Sequence, residues 1–125
     1  MTVTVYVCTT CRREDDPADG PRGGATLAAA LAAGNEAAGS PVAVVPVECL
    51  SVCKRPVTIG FAAPGKWTYV YGDFAPDAAD AILSAAAQYA DAPDGLIPWR
   101  ERPEHLKRGV VARLPPVLPL PEAAE

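Results

Sequence analysis

Histidine is nearly missing from this chain: His105 is the only one in 125 residues. A general base, a nucleophile–base pair or a histidine-rich metal site therefore has little to be made from. No G-x-G-x-x-G turn, phosphate loop or H-E-x-x-H stretch is present, and no serine is placed with a histidine for attack. The chain is not expected to be an enzyme. Large aromatics are also few. Two Phe, two Trp and four Tyr stand against 24 Ala, so the core must be built largely from Val, Leu and Ala. No apolar run approaches the roughly 20 residues that span a bilayer. The sequence opens on a Val/Thr alternation, with no basic n-region or signal-type h-region. A net charge of −4 and a pI of about 4.9 argue against a nucleic-acid coat or a cationic membrane binder. One cytoplasmic domain, with neither nucleic acid nor membrane as partner, is expected.

What is present is four cysteines, Cys8, Cys11, Cys49 and Cys53, spaced C-x2-C, a gap of 37 residues, then C-x3-C. Two tight pairs in a chain without an export signal point to a metal or redox site more than to structural disulfides. Together they supply the four thiolates that tetrahedral zinc or a four-thiolate iron–sulfur cluster needs. A reactive dithiol made of Cys8 and Cys11 is a further reading. However, such pairs normally sit at a helix N-terminus, and here a charged loop separates them from the next helix.

The pattern of the chain gives each pair a place. Thr2 to Val7 alternates strictly and reads as a strand ending at Cys8. A polar loop runs from Thr9 to Gly24. Ala25 to Ala38 reads as a helix with Leu27 and Leu31 on its apolar stripe, stopped by Gly39, Ser40 and Pro41. The run V-A-V-V-P-V that follows reads as a buried strand, with Pro46 marking an edge or bulge near its end. Val57, Ile59 and Phe61, then Trp67, Tyr69 and Tyr71, make two alternating runs around Pro64-Gly65, which is a hairpin signal. The aromatic face of this hairpin is expected to pack on a helix or on a subunit partner, which leaves a homodimer open. Pro76 to Ala90 reads as a second helix, with Pro76 in its first turn. The order strand-helix-strand-strand-strand-helix puts each cysteine pair directly after a strand. If those strands are parallel neighbours, both pairs emerge at one end of the sheet.

Beyond Asp91, seven of the 14 prolines and five of the 11 basic residues accumulate. Residues 1–91 are expected to form the domain and 92–125 a proline-rich extension that wraps it. Trp99 and Val110-Val111 are the expected anchors, Pro103 to Arg108 a short helix, and the segment from Leu114 onward mobile. The basic stretch Arg100 to Arg113 reads as solubilising the wrap rather than docking an acidic partner. His105 reads as a surface residue rather than a ligand.

Four stretches resemble the thioredoxin-like [2Fe-2S] ferredoxins, a family that includes a cluster-carrying subunit of bacterial NADH dehydrogenase. They are Val5-Tyr6-Val7-Cys8-Thr9, Gly20-Pro21-Arg22-Gly23-Gly24-Ala25, Cys49-Leu50-Ser51-Val52-Cys53 with Pro56-Val57-Thr58-Ile59, and Pro64-Gly65-Lys66-Trp67-Thr68-Tyr69. The whole chain, with Trp99 to Glu104, is also similar to bacterial proteins described as metal-binding, several encoded near cobalamin-synthesis genes. The resemblance implies an α/β thioredoxin-like fold and one [2Fe-2S] cluster on Cys8, Cys11, Cys49 and Cys53. It implies single-electron transfer to a redox partner enzyme, in cobalamin metabolism if the genetic neighbourhood holds. Zinc binding or delivery by the same four cysteines is the alternative. One departure stands out. The family's second ligand lies further along the loop, whereas Cys11 follows Cys8 with two residues between. Were Cys11 a bystander, Asp15, Asp16 or Asp19 would be the first substitutes to consider. Pro56 is expected to be cis by analogy with thioredoxin-like folds. The cations Arg12, Arg13, Lys54 and Arg55 beside the ligand pairs are candidates for stabilising a reduced cluster.

Overall fold

The computed structural model describes residues 3–10, 20, 22–51, 55–75 and 77–116. Its elements are β1 (Thr4–Cys8), α1 (Gly23–Ala37), β2 (Ala43–Val47), β3 (Ile59–Ala62), β4 (Thr68–Tyr71), α2 (Ala79–Asp91), a 3-10 turn (Trp99–Glu101), α3 (Glu104–Arg108) and β5 (Val110–Leu114). Five strands form one sheet in the order β2-β1-β3-β4-β5. Only β1 and β2 are parallel; every other neighbouring pair runs antiparallel. Among the described residues no helix is long and apolar enough to cross a membrane.

The alternation read in the sequence sets the core. Val7, Ile59 and Tyr71 are paired across the sheet, as are Val5, Phe61 and Tyr69, and all six are buried. Period-2 strands put each of these rows on one face. Helix α1 packs on β1 and β2 through Leu27 and Leu31. Helix α2 lies beside it on the same face, with the Tyr89 ring 5.5 Å from Phe61 and 6.4 Å from Tyr69. The two helices approach closely at Gly34, where a Cβ would stand 2.9 Å from Leu83 Cδ1. The aromatic face of the hairpin is thus covered from within the chain. Tyr69 and Tyr71 stack at 5.4 Å, and Phe61 meets Tyr71 edge-on at 5.4 Å.

Three polar groups lock this layer. Asn35 continues the Leu27-Leu31 stripe by one more turn, yet it is polar and buried. Its amide nitrogen donates to the Val42 carbonyl at 2.7 Å, and its oxygen accepts from the Val42 N–H at 3.2 Å. This ties the end of α1 to the start of β2. Lys66 is buried to 9% exposure, and its Nζ donates to the carbonyls of Ala90 and Ala92, capping the C-terminus of α2. Tyr89 Oη donates to the Trp67 carbonyl, joining the same helix to the hairpin.

Several expectations need correction. The V-A-V-V-P-V run is an edge strand, not a buried one: Val45 and Pro46 are exposed, which suits the proline. Val57 does not begin β3 but sits before it at φ 66°, fully buried. Pro56 is trans, since the described residues hold no cis peptide bond. Val110–Leu114, expected as extended chain wrapping the core, is the fifth strand of the sheet, paired with β4 across a bulge at Val70/Tyr71. Val110 packs against the core, whereas Val111 is exposed. The tail is expected to be mobile from Leu114, but Leu114 ends β5; the tail from residue 117, the side chains of Trp99 and His105, and the residue Pro76 lie outside the described residues.

Three outcomes follow for stability. Asn35→Ala leaves a buried N–H and carbonyl of Val42 without their partner, and is expected to cost about 2 kcal/mol in denaturant unfolding. The buried Tyr71 hydroxyl has no hydrogen-bond partner among the described residues. Tyr71→Phe is therefore expected to stabilise the chain by about 1 kcal/mol at neutral pH. Burial, and then the neighbouring Tyr69, raises the pKa of Tyr71 and pushes that of Tyr89 up to about 12. A raised folded-state pKa means that the native chain holds protons which the unfolded chain releases. Stability should then be intact below pH 10 and fall as pH rises from 10 through 12, which urea melts across that range would read.

Candidate metal centre

The parallel pairing of β1 with β2 builds the site. Its register sets Cys8 beside Val47, two residues before Cys49. Both strands therefore deliver a cysteine at the same end of the sheet, as the order of elements predicts. The two thiols are differently placed: Cys8 is buried at 1% exposure, and Cys49 is exposed. Cys11 and Cys53 lie outside the described residues, as do Arg12, Arg13, Lys54 and the loop aspartates Asp15, Asp16 and Asp19. Among the described residues, no group of three or more His, Cys, Asp and Glu gathers to hold a metal ion, at this end of the sheet or elsewhere.

A short hydrogen-bonded seam carries the chain from β1 past Cys8. The Cys8 N–H donates to the Thr58 carbonyl at 3.0 Å, and the Thr9 N–H to the Val47 carbonyl at 2.8 Å. The Thr9 hydroxyl donates to the same Val47 oxygen at 3.1 Å. The Cys8 thiol donates to the Glu48 carbonyl at 3.4 Å, and the Thr10 hydroxyl donates to that oxygen too while lying 3.7 Å from Cys8 Sγ. Arg22, just before α1, reaches back to the Thr10 carbonyl at 3.1 Å. On the second loop the Ser51 N–H donates to Cys49 Sγ at 3.1 Å, with Ser51 in the left-handed region at φ 61°. A backbone N–H aimed at a cysteine sulfur is the kind of donor that stabilises negative charge there.

Sequence reasoning missed the threonines and Arg22. The signal available was Thr9-Thr10 directly after a strand-end cysteine, two hydroxyls able to bond the neighbouring backbone. The basic residues of the tail are also placed. Arg102 lies over the Tyr69 ring at 5.7 Å and donates to the Ile97 carbonyl at 2.8 Å; Arg113 lies over Trp67 at 4.9 Å. These two cations cover aromatic rings of this chain. Arg55 makes an ion pair with Asp73.

Comparison with solved structures gives the class of fold. The chain is similar to a thioredoxin-like [2Fe-2S] ferredoxin from Aquifex aeolicus, with a TM-score of 0.61 and 18% identity over 94% of this chain and 97% of that one. The fold is that of a thioredoxin-like ferredoxin, and at this identity the likeness speaks for the fold alone. A family model described as a protein of unknown function, DUF1636, matches residues 5–116, and the chain belongs to that family. No curated protein matches it.

The difference in burial has a direct chemical consequence. In the metal-free chain at neutral pH, Cys49 is expected to react with iodoacetamide about tenfold or more faster than Cys8, which must wait for the β1 end to open. Peptide mass spectrometry over a time course reads both rates.

Proposed function

We propose that this chain is an iron–sulfur protein that holds one [2Fe-2S] cluster on Cys8, Cys11, Cys49 and Cys53 and passes single electrons to a redox partner enzyme. The observation that carries the reading is the parallel β1–β2 register, which brings a cysteine from each pair to one end of the sheet. The likeness of the whole chain to a ferredoxin of this fold supports it. The donor set fits the group: thiolates are soft donors, and sulfur is the ligand such clusters favour.

When bound, the cluster would supply a one-electron couple, its charge passing from about −2 to about −3. The chain's own residues hold and bias it. Cys8, backed by the Thr58 and Glu48 carbonyls, is the buried ligand; Cys49, accepting from the Ser51 N–H, is the exposed one and marks the side open to a partner. The Ser51 N–H, which donates to Cys49 Sγ, is the donor placed to raise the potential. The protein has no catalysis of its own in this reading and contributes burial, orientation and potential.

Cysteine-to-serine variants test the ligand set. A serine oxygen is a harder donor than thiolate, so Cys11→Ser should shift the visible spectrum or lose the cluster within hours in air, as should the same change at Cys8, Cys49 and Cys53. The wild type should show an EPR signal only after reduction. An unchanged spectrum and unchanged reduced signal in Cys11→Ser would remove Cys11 from the ligand set.

A further inference from the structure

The loop that follows the second cysteine pair is pinned from an unexpected side. Arg55 Nε donates to Asp73 Oδ2 at 2.7 Å, while its two terminal nitrogens donate to the carbonyls of Val110 at 3.2 Å and Arg108 at 2.9 Å. With side chains 34% and 47% exposed, the Arg–Asp pair by itself contributes little. The two carbonyl bonds give it a mechanical role, because they come from the start of β5 and the end of α3. A guanidinium can serve three acceptors in one plane; an ammonium cannot reproduce that fork.

The backbone of Arg55 is held as closely as its side chain. Its carbonyl accepts from the Thr58 hydroxyl at 3.2 Å and the Asp73 N–H at 3.4 Å. At Gly72 a Cβ would stand 2.7 Å from the Arg55 oxygen, so only glycine fits there. The Gly72 N–H donates to the Gly109 carbonyl at 2.9 Å, that of Asp73 to Pro56 at 3.1 Å, and that of Phe74 to Val57 at 3.3 Å. Val57 and Asp73 both sit at positive φ, 66° and 65°, conformations that persist only where surrounding contacts over-determine them. Residues 55–58, 72–74 and 108–110 form one knot.

We propose that Arg55 is a positioning residue for the cysteine site: its fork ties position 55, two residues past Cys53 in sequence, to β5, so the chain that leaves the second cysteine pair is anchored only while the C-terminal strand is docked. The inference rests on the iron–sulfur reading for its consequence, not for its geometry. Asp73 balances the charge of Arg55, so the fork acts by placement rather than by its field.

Native-state hydrogen exchange on the metal-free full chain tests the knot without a cluster. The amides of Gly72, Asp73 and Phe74 should open together with those of Val110–Leu114, within about threefold in rate. A strand that opens alone, about tenfold or more faster than those amides, would overturn the proposal. Arg55→Lys keeps the charge and loses the fork, so it should match Arg55→Gln. Both should speed exchange at Asp73 and Phe74 by about fivefold or more, leave the β1 amides of Val5 to Val7 at wild-type rates, and shorten the life of a reconstituted cluster in air. Wild-type behaviour of Arg55→Lys, or equal acceleration in those β1 amides, would overturn it. Should either variant fail to fold, the wild-type exchange pattern decides. A wild type that takes up no iron and sulfide would defeat the iron–sulfur reading while leaving the exchange result standing.

Discussion

Everything at the cysteine end of the molecule depends on the parallel pairing of β1 with β2. Parallel neighbours need a crossover, and α1 supplies it while covering the sheet. A slip of one residue in that pairing would turn β2 over and carry Cys49 about 3.3 Å along the strand direction. Asn35 guards against the slip. It grips both backbone groups of Val42 one residue before β2 begins, so the register is set before the strand starts. Sulfur placement at one end of the sheet thus traces back to an amide at the other.

The rest of the fold is organised to keep that sheet packed against two alanine-rich helices. Small residues let α1 and α2 lie close, and the aromatics that the composition rations are spent in one place, the Phe61, Tyr69, Tyr71, Phe74 and Tyr89 cluster. Lys66 and Tyr89 join the hairpin to the end of α2, and Arg55 joins the hairpin's exit to β5. The C-terminal segment closes the sheet's far edge and covers Tyr69 and Trp67 with arginines. Its role is structural along most of its described length.

How much of this was legible depended on whether a signal was local. Period-2 alternation at Val5-Val7, Ile59-Phe61 and Tyr69-Tyr71 correctly gave three strands and their buried face, because side-chain direction is fixed by the pleat. The order of elements gave the shared end of Cys8 and Cys49. What escaped was set by tertiary context. An apolar run looks the same whether a strand is central or at an edge, so β2 was read as buried although only its Pro46 hinted otherwise. β5 was missed because V-V-A-R-L lacks alternation and most of it is exposed, its place being fixed by β4 and Arg55. Asn35 gave no sign of its buried role, since an asparagine near a helix end ordinarily reads as a stop.

The central claim is that two strand-end cysteine pairs form one iron–sulfur site. Its physical basis is spatial: Cys8 and Cys49, far apart in sequence, come to the same end of the sheet because β1 and β2 run the same way. The most direct measurement is metal and acid-labile sulfide analysis of the native chain purified under argon. The account predicts a red-brown protein with about two irons and two sulfides per chain, the inventory of a four-thiolate [2Fe-2S] centre. A colourless protein with one zinc per chain and no sulfide would contradict it.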